Sequence, residues 1–134
     1  MRIQVNGEEI PVEPVKGFVT ISRTWQAGDI VEVDLPMPIQ RVVSHEQVAA
    51  NRGRVALERG PLVYCVEGVD NGRLADLHLP DDAALTAEHQ PDLLGGVTVI
   101  RREGKRPFLA IPYYAWANRG AGEMAVWLPG VGER

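Results

Sequence analysis

Two acidic residues flank a marked interruption in the longest apolar part of the chain. Glu58 and Glu67 lie on either side of Gly60-Pro61, a dipeptide that predicts a bulge or a corner between sheets. Two carboxylates can cleave a glycosidic bond, one as acid and the other as nucleophile or base. Spacing alone does not set the distance between them. Ion-pair partners for Arg54 and Arg59 are the commoner role for such residues, so a catalytic pair is the last hypothesis in our ranking.

Nucleophiles and metal ligands are few. His45, His78 and His89 lie in separate segments, and none belongs to a ligand motif such as two histidines four residues apart on a helix. Cys65 is the only cysteine, which excludes an intrachain disulfide and a cysteine-based zinc site. It lies within an apolar run, a position typical of a small core residue. The sequence therefore predicts no catalytic residue, no metal ligand and no cofactor.

Aromatic residues form the third candidate group. Tyr113, Tyr114 and Trp116 end a predicted strand, Phe108 to Trp116, and Trp127 lies on the next one. With a period of two residues, Tyr114 and Trp116 share one face of the strand and Tyr113 lies on the other. Exposed Trp and Tyr rings can stack on sugars, so all four residues are candidates for carbohydrate binding. Burial in a core or an interface is the commoner alternative.

The elements that must position these residues are strands. Apolar residues mostly alternate with polar ones, and Gly, Pro, Asn and Asp punctuate the runs. No stretch of ten residues keeps a helical period, and Glu46 to Asn51 predicts one turn at most. The fold class is all-β, an antiparallel β-sandwich with little or no helix, divided into regions 1–72 and 73–134 that share strands or form one compact domain. The predicted strands are Ile3 to Val5, Phe18 to Arg23, Val31 to Leu35, Ile39 to Val43, Val55 to Arg59, Leu62 to Glu67, Leu77 to Leu79, Val97 to Arg102, Phe108 to Trp116 and Glu123 to Leu128.

Composition excludes several classes of partner. The 134 residues fit one domain or two small layers, and the net charge of −4 gives no basic surface for nucleic acid. No run approaches the roughly 20 apolar residues of a membrane span. The N-terminus lacks the apolar core of a signal peptide, which favours a cytoplasmic location.

Several stretches of the chain are specific when they are taken together. They are GRVALERGPLVYC at 53–65, EGVDN at 67–71, IPYYAWANRG at 111–120 and EMAVWLP at 123–129, supported by VNG at 5–7, WQAGD at 25–29 and LPMP at 35–38. None of them is a catalytic motif. Together they resemble the C-terminal region of one known family, the β-L-arabinofuranosidase-like proteins of glycoside hydrolase family 127, long catalogued as a domain of unknown function. The resemblance covers almost the whole chain.

The resemblance implies that the catalytic residues lie elsewhere. In such proteins an upstream (α/α)₆ barrel carries a cysteine nucleophile and a zinc ion held by further cysteines and a glutamate. Two β-sandwich domains follow, and the second is linked to dimer formation in some members. This chain resembles only the sandwich part, and Cys65 does not correspond to the nucleophile. No catalytic or zinc residue is carried over, and zinc is expected only in the barrel.

The leading prediction is thus a non-catalytic accessory domain that supports the catalytic barrel and supplies an oligomer interface. Its partners would be that barrel and a second copy of the chain. The alternative is a carbohydrate-binding module that uses the four aromatic residues on arabinose-containing glycans. Relatives have further strands before the stretch that begins here at Met1, so we also expect an exposed ladder edge that drives dimerisation or strand exchange.

Overall fold

The computed structural model describes residues 1–130. Contacts divide the chain into two compact units, Met1–Met37 and Pro38–Arg134. Every strand pair in both units is antiparallel, and helical residues are confined to short turns. The predicted all-β, antiparallel fold class is confirmed. Within residues 1–130, no helix combines the length and the apolar character that crossing a membrane requires.

The first unit is a three-stranded sheet. Its middle strand, β1 (Arg2–Val5), lies between β2 (Glu8–Ile10) and β3 (Val31–Asp34). Asn6 and Gly7 join β1 to β2 with φ angles of 54° and 81°. These are the two positive angles of a type I′ hairpin turn, whose twist matches that of the strands. The hairpin predicted from Asn6-Gly7 is therefore present.

Burial in this unit is confined to its middle strand. Ile3 and Val5 are its buried residues, and Val33 and Val31 lie directly opposite them on β3. Directly opposite residues share one face of a sheet. Val33 is nevertheless 54% exposed, and Val31 is exposed as well. The alternation in β3 thus predicts the strand correctly, but the strand has no buried side chain.

Asp29 ties the loop before β3 to the hairpin turn. Its Oδ1 accepts a hydrogen bond from the Asn6 side-chain amide at 2.8 Å, and its Oδ2 accepts one from the Gln26 backbone N–H at 2.9 Å. Asn6 Oδ1 in turn accepts from the Ile30 N–H at 2.9 Å. The bond from Asn6, and then that from Gln26, lower the pKa of the Asp29 carboxyl because they favour its charged form.

The strand predicted from Phe18 to Arg23 is wrong. Val15 and Phe18 exchange two backbone hydrogen bonds, at 2.9 and 3.0 Å, around a tight turn at Lys16 and Gly17. No strand follows this turn before β3. An alternating run becomes a strand only when a neighbouring strand offers its ladder hydrogen bonds, and no neighbour does so here.

The second unit contains eight strands within residues 38–130, in one curled sheet. Its order is β11-β5-β6-β9-β8-β7, with β4 paired to β5 and β10 paired to β6. One-turn helix α1 (Gly68–Asn71) follows β6, and 3₁₀ turns lie at Ala49–Asn51, Leu74–Asp76 and Tyr113–Ala115. The strands are β4 (Ile39–Val42), β5 (Arg54–Arg59), β6 (Leu62–Glu67), β7 (Leu85–Gln90), β8 (Val97–Arg102), β9 (Phe108–Pro112), β10 (Met124–Ala125) and β11 (Leu128–Pro129).

Gly60-Pro61 is a two-residue hairpin turn rather than a bulge or a corner. Arg59 pairs with Leu62 and Glu58 with Val63, and Gly60 has the positive φ of 57° that a type II′ turn needs at its first central position. Beyond these pairs β5 and β6 separate. The chain from β10 to β11 fills the opening, since β10 pairs with β6 and β11 with β5.

The central strands bury both of their faces. Tyr64 and Val66 on β6 belong to one hydrophobic cluster, whereas Cys65 between them belongs to a second. β8 and β9 divide in the same way, with Ile100 in the first cluster and Ile111 in the second. A strand with two buried faces needs consecutive apolar residues, as β6 has. The prediction of a central strand at Leu62 to Glu67 is confirmed.

The segments at Leu77–Leu79 and Leu85–Gln90 also differ from the sequence prediction. Leu77 and Leu79 are buried, but they follow a 3₁₀ turn and form no strand; the Leu79 N–H donates to the Pro129 carbonyl at 2.8 Å. β7 is a strand that the pattern did not predict. Most of its side chains are exposed on both faces, so the sequence has no apolar alternation to mark it.

The boundary between the units lies between Met37 and Pro38, whereas the sequence placed its regional boundary between residues 72 and 73. Residue 72 lies in the second unit, directly after α1. β6 from the first predicted region pairs with β9 from the second, because the apolar faces of both strands complete the same core.

A candidate docking surface of aromatic residues

β9 ends at Pro112, and the next three residues form a 3₁₀ turn instead of continuing the predicted strand. Residues three apart in a 3₁₀ helix lie above one another. Tyr113 and Trp116 therefore stack, with ring centroids 5.9 Å apart and planes inclined by 23°. The prediction that Tyr114 and Trp116 share a strand face opposite Tyr113 is wrong, because the backbone changes its period at Tyr113.

The rings of this turn face solvent. Tyr113, Tyr114 and Trp116 are 44%, 65% and 41% exposed, and together they form what we call the aromatic surface. Ala115, between them, is buried in the cluster that contains Cys65 and thus anchors the turn. Trp127 is half-buried on the segment between β10 and β11, and within residues 1–130 no ring contact joins it to the aromatic surface. Three of the four predicted residues are brought together.

An ion cluster holds the loop that follows the aromatic surface. The Arg119 guanidinium donates two hydrogen bonds to Asp70, at 2.7 and 2.5 Å, and one to Glu67 Oε2 at 2.6 Å. The Glu67 side chain is only 7% exposed and that of Arg119 only 20% exposed. We call Glu67, Asp70 and Arg119 the clasp. Sequence reasoning missed the clasp because its acidic and basic members lie about fifty positions apart in the chain.

The two carboxylates of the clasp stabilise the charged form of Arg119. The hydrogen bond to Asp70 contributes most to raising the pKa of the Arg119 guanidinium, burial opposes it, and the bond to Glu67 adds to the rise. Arginine thus stays charged between the two carboxylates. Its planar fork binds Asp70 with both nitrogens, which fixes the orientation of the side chain as well as its position.

Glu67 also binds the backbone of the loop. Its Oε1 accepts a hydrogen bond from the Ala117 N–H at 3.0 Å. Ala117 has a φ of 64°, in the left-handed region that residues other than glycine rarely adopt. The carboxylate therefore contacts the residue with the least favourable backbone conformation in the loop.

α1 connects the clasp to the sheet. Asn71 accepts a hydrogen bond from the Leu109 N–H at 2.8 Å and donates one to the Leu109 carbonyl at 2.9 Å, as a neighbouring strand would. The Asn71 amide also donates to the Glu67 carbonyl at 2.8 Å. The clasp is thus attached to the backbone of both β6 and β9.

The other chemical candidates do not converge. Glu58 pairs with Val63, and Glu67 lies four residues beyond Val63 along β6. At the rise per residue of a strand, this places Glu67 roughly 13 Å from the position opposite Glu58. Burial, and then the charge of Glu67, raise the pKa of the Cys65 thiol to about 12. Within residues 1–130, no three His, Cys, Asp or Glu side chains lie close enough to hold a metal ion.

Comparison with known families assigns each part of the chain. The model described as "Glycoside hydrolase family 127 C-terminal domain" matches residues 39–129. That described as "Beta-L-arabinofuranosidase, GH127 middle domain" matches residues 1–37. The second range equals the first compact unit, and the first range lies within the second unit, Pro38–Arg134. The chain belongs to glycoside hydrolase family 127.

Relatives identify the part of the family protein. The chain is 36% identical to the non-reducing end β-L-arabinofuranosidase of Bifidobacterium longum subsp. longum, over 93% of this chain and 23% of that protein. The crystal structure of a family 127 β-L-arabinofuranosidase from Geobacillus stearothermophilus T6 superposes with a TM-score of 0.84 at 47% identity, over 96% of this chain and 24% of that one. A family 127 β-arabinofuranosidase matches with a TM-score of 0.87 at 34% identity, over 96% of this chain and 23% of that one.

The chain thus spans about a quarter of the length of the relatives it matches. It is the C-terminal part of a β-L-arabinofuranosidase-like protein, as the sequence predicted.

Proposed function

We propose that this chain is a non-catalytic accessory region that supports the catalytic barrel of a family 127 protein and provides an oligomer interface. The aromatic surface is the observation that carries this proposal. Tyr and Trp are enriched in protein interfaces, and an exposed cluster of them indicates a binding surface. The clasp fixes the loop that carries Trp116, so little conformational freedom would be lost on docking. The cytoplasmic location remains a prediction.

The ring geometry favours a protein partner over a sugar. Tyr113 and Trp116 stack on each other, so each ring has one face covered by its neighbour. The stacked pair therefore offers a sugar only one free face on each ring. A protein partner can instead cover the edges and the outer faces of the pair.

A chimera tests this proposal. We would replace the matching quarter of the Geobacillus stearothermophilus enzyme by this chain and compare the parent chimera with Tyr114→Ala and Trp116→Ala. Truncating a central interface aromatic costs about 2 kcal/mol or more, so both variants should inactivate faster on heating while the isolated 134-residue chain keeps its own unfolding midpoint. Val43→Ala, another exposed apolar residue of the same unit, is the matched control. Equal inactivation rates for all four chimeras would refute the docking role.

The oligomer proposal concerns β3. Its outer edge is unpaired within residues 1–130, and Val31 and Val33 are exposed on one face of that strand. A free edge beside an apolar face favours pairing with another copy. Light scattering of the 14.7 kDa chain at micromolar concentration should give a dimer. Val33→Lys should shift it to a monomer, whereas Glu32→Gln, with the same change in charge on the opposite face, should not. If the unsubstituted chain is a monomer, the proposed dimer is ruled out.

Carbohydrate binding is the second candidate, and Tyr114 is the residue that favours it. Its ring is 65% exposed and outside the stacked pair, so it can cover a sugar face. Titration with arabinose-containing oligosaccharides should then quench the fluorescence of the neighbouring Trp116, and Tyr114→Ala should remove the response. An unchanged spectrum at saturating oligosaccharide eliminates this candidate.

A further inference from the structure

The loop from Tyr113 to Gly120 combines an unfavourable backbone angle with a buried anchor. Ala117 has its φ of 64° in the middle of this loop, one residue after Trp116. Such an angle costs a residue other than glycine free energy and persists only when the surroundings impose it. The interaction that imposes it must act on Ala117 itself or on its immediate neighbours.

Glu67 binds both Ala117 and Arg119, two residues farther along the loop. Oε1 accepts the Ala117 N–H at 3.0 Å, and Oε2 accepts Arg119 at 2.6 Å, so a single carboxylate holds two positions of the loop that lie two residues apart. Asp70 binds the same guanidinium through both oxygens, whereas the Ala117 N–H donates to Glu67. Glu67 is thus the member of the clasp whose carboxylate binds both the Arg119 guanidinium and the backbone of Ala117, the residue with the positive φ.

We infer that Glu67 is a positioning residue for the aromatic surface: it holds Ala117 in the left-handed conformation that keeps Tyr113 stacked on Trp116. Arg119 completes the geometry, and Asp70 orients Arg119. This inference concerns the conformation of the loop, and only its consequence for a partner rests on the proposed docking function.

Glu67→Gln is the direct test, made in the full 134-residue chain. The amide keeps an oxygen that can accept the Ala117 N–H, but it loses the charge that binds Arg119. Amide exchange at residues 117–119 should accelerate at least about tenfold, and the near-ultraviolet circular dichroism of the ring pair should weaken, while the amides of β6, β8 and β9 stay protected. Unchanged exchange at residues 117–119 overturns the inference, and so does an acceleration shared equally by the central strands.

Glu88→Gln is the matched control. Glu88 forms an ion pair with Arg101 at the same 2.6 Å, but its side chain is 53% exposed and it lies within strand β7, away from the clasp in the chain. Removing this pair should leave both the exchange at residues 117–119 and the ring signal unchanged. If it has the same effect as Glu67→Gln, a general electrostatic change accounts for the result and the inference fails.

Ala117→Gly provides a rescue that a merely structural role would not show. Glycine adopts a positive φ without the steric cost that alanine has. Added to Glu67→Gln, it should restore much of the ring signal, because the loop then needs less support in this conformation. Arg119→Lys keeps the charge but loses the bidentate hydrogen bonds to Asp70. It replaces Glu67→Gln as the test variant if Glu67→Gln lowers the yield of folded chain. No rescue by Ala117→Gly, with either variant, contradicts the inference.

The chimera separates this inference from the proposed function. If Glu67→Gln loosens the loop and also speeds thermal inactivation of the chimera, both stand. If the loop loosens and the chimera inactivates at the parent rate, Glu67 is still the positioning residue and the docking role is wrong.

Discussion

β3 and β6 are both rich in apolar residues, yet they have opposite surroundings. In β6 the residues from Tyr64 to Glu67 are all buried, and the first three of them alternate between two hydrophobic clusters. In β3 every residue is exposed, although Val31 and Val33 stand opposite the two buried residues of the first unit. The difference shows that an apolar pattern sets which face a strand would bury. Whether it buries that face depends on a second layer.

The second unit supplies its own layers and the first does not. The curled sheet and the segment from β10 to β11 enclose ten buried residues in one cluster, with a second cluster on the opposite face of the central strands. The three strands of the first unit bury two apolar side chains. Stability should therefore reside mainly in the second unit, and the first should respond weakly to the same substitutions.

A pair of alanine substitutions tests this contrast most strongly. Ile100, on β8, is fully buried, and truncating it to Ala removes contacts and leaves a cavity, at a cost of about 2–5 kcal/mol. Val15→Ala, in the first unit, should change the free energy of unfolding by less than about 0.5 kcal/mol because its side chain is 67% exposed. Urea denaturation followed by circular dichroism gives both values. Similar costs at the two positions would contradict the contrast between the units.

Local turn chemistry explains why much of the fold could be predicted. Asn6-Gly7 predicts its hairpin because two consecutive positive φ angles are available to these residue types at little cost. The apolar run of β6 predicts a central strand because a strand buried on both faces has no polar positions. β7 could not be predicted, since a strand exposed on both faces carries no apolar period.

The candidate site was less accessible to sequence reasoning. Residue type alone makes Tyr113, Tyr114 and Trp116 candidates for a binding surface, but it does not show whether their rings are exposed. Their geometry could not be predicted, because the alternation of β9 continues in the sequence past the residue where the backbone turns into a 3₁₀ helix. The clasp depends on Glu67 and Arg119, which the fold brings together from positions 52 apart. Chain spacing gives no signal for such a pair.

Thiol reactivity sharpens the contrast between buried and exposed positions. Cys65 is buried, and its pKa of about 12 leaves little thiolate at pH 8. A disulfide reagent should therefore modify it at least about ten times more slowly in the folded chain than in urea. A thiol introduced by Phe18→Cys, at a position that is 76% exposed in the first unit, should react in the folded chain nearly as fast as it does in urea. Kinetics of reagent release then show one fast and one slow thiol. Two fast phases would mean that the core containing Cys65 opens readily.

The smallest expected effect lies in the first unit, at Asp29. Its pKa is lowered from the ordinary 3.8, so the contribution of this carboxyl to stability is complete above that value and disappears as the pH falls through the lower, folded pKa. Asn6→Gly removes the amide that lowers the pKa most but keeps a residue that accepts the positive φ of the turn. A carboxyl titration by nuclear magnetic resonance should show the Asp29 pKa rising toward 3.8, stopping short because the Gln26 N–H still donates.

Asn118→Gly, in the second unit, should leave the Asp29 titration unchanged and provides the control for an asparagine-to-glycine change. An Asp29 titration that Asn6→Gly does not move would assign the lowered pKa to Gln26 and Arg23 instead. Asp29 and Glu67 are both acidic groups that tie a loop to a neighbouring turn, but the first does so at the surface and the second within a buried ion cluster. Loss of the Asn6 bond should therefore be tolerated by the first unit, whereas loss of the clasp charge should loosen the loop that carries the aromatic surface.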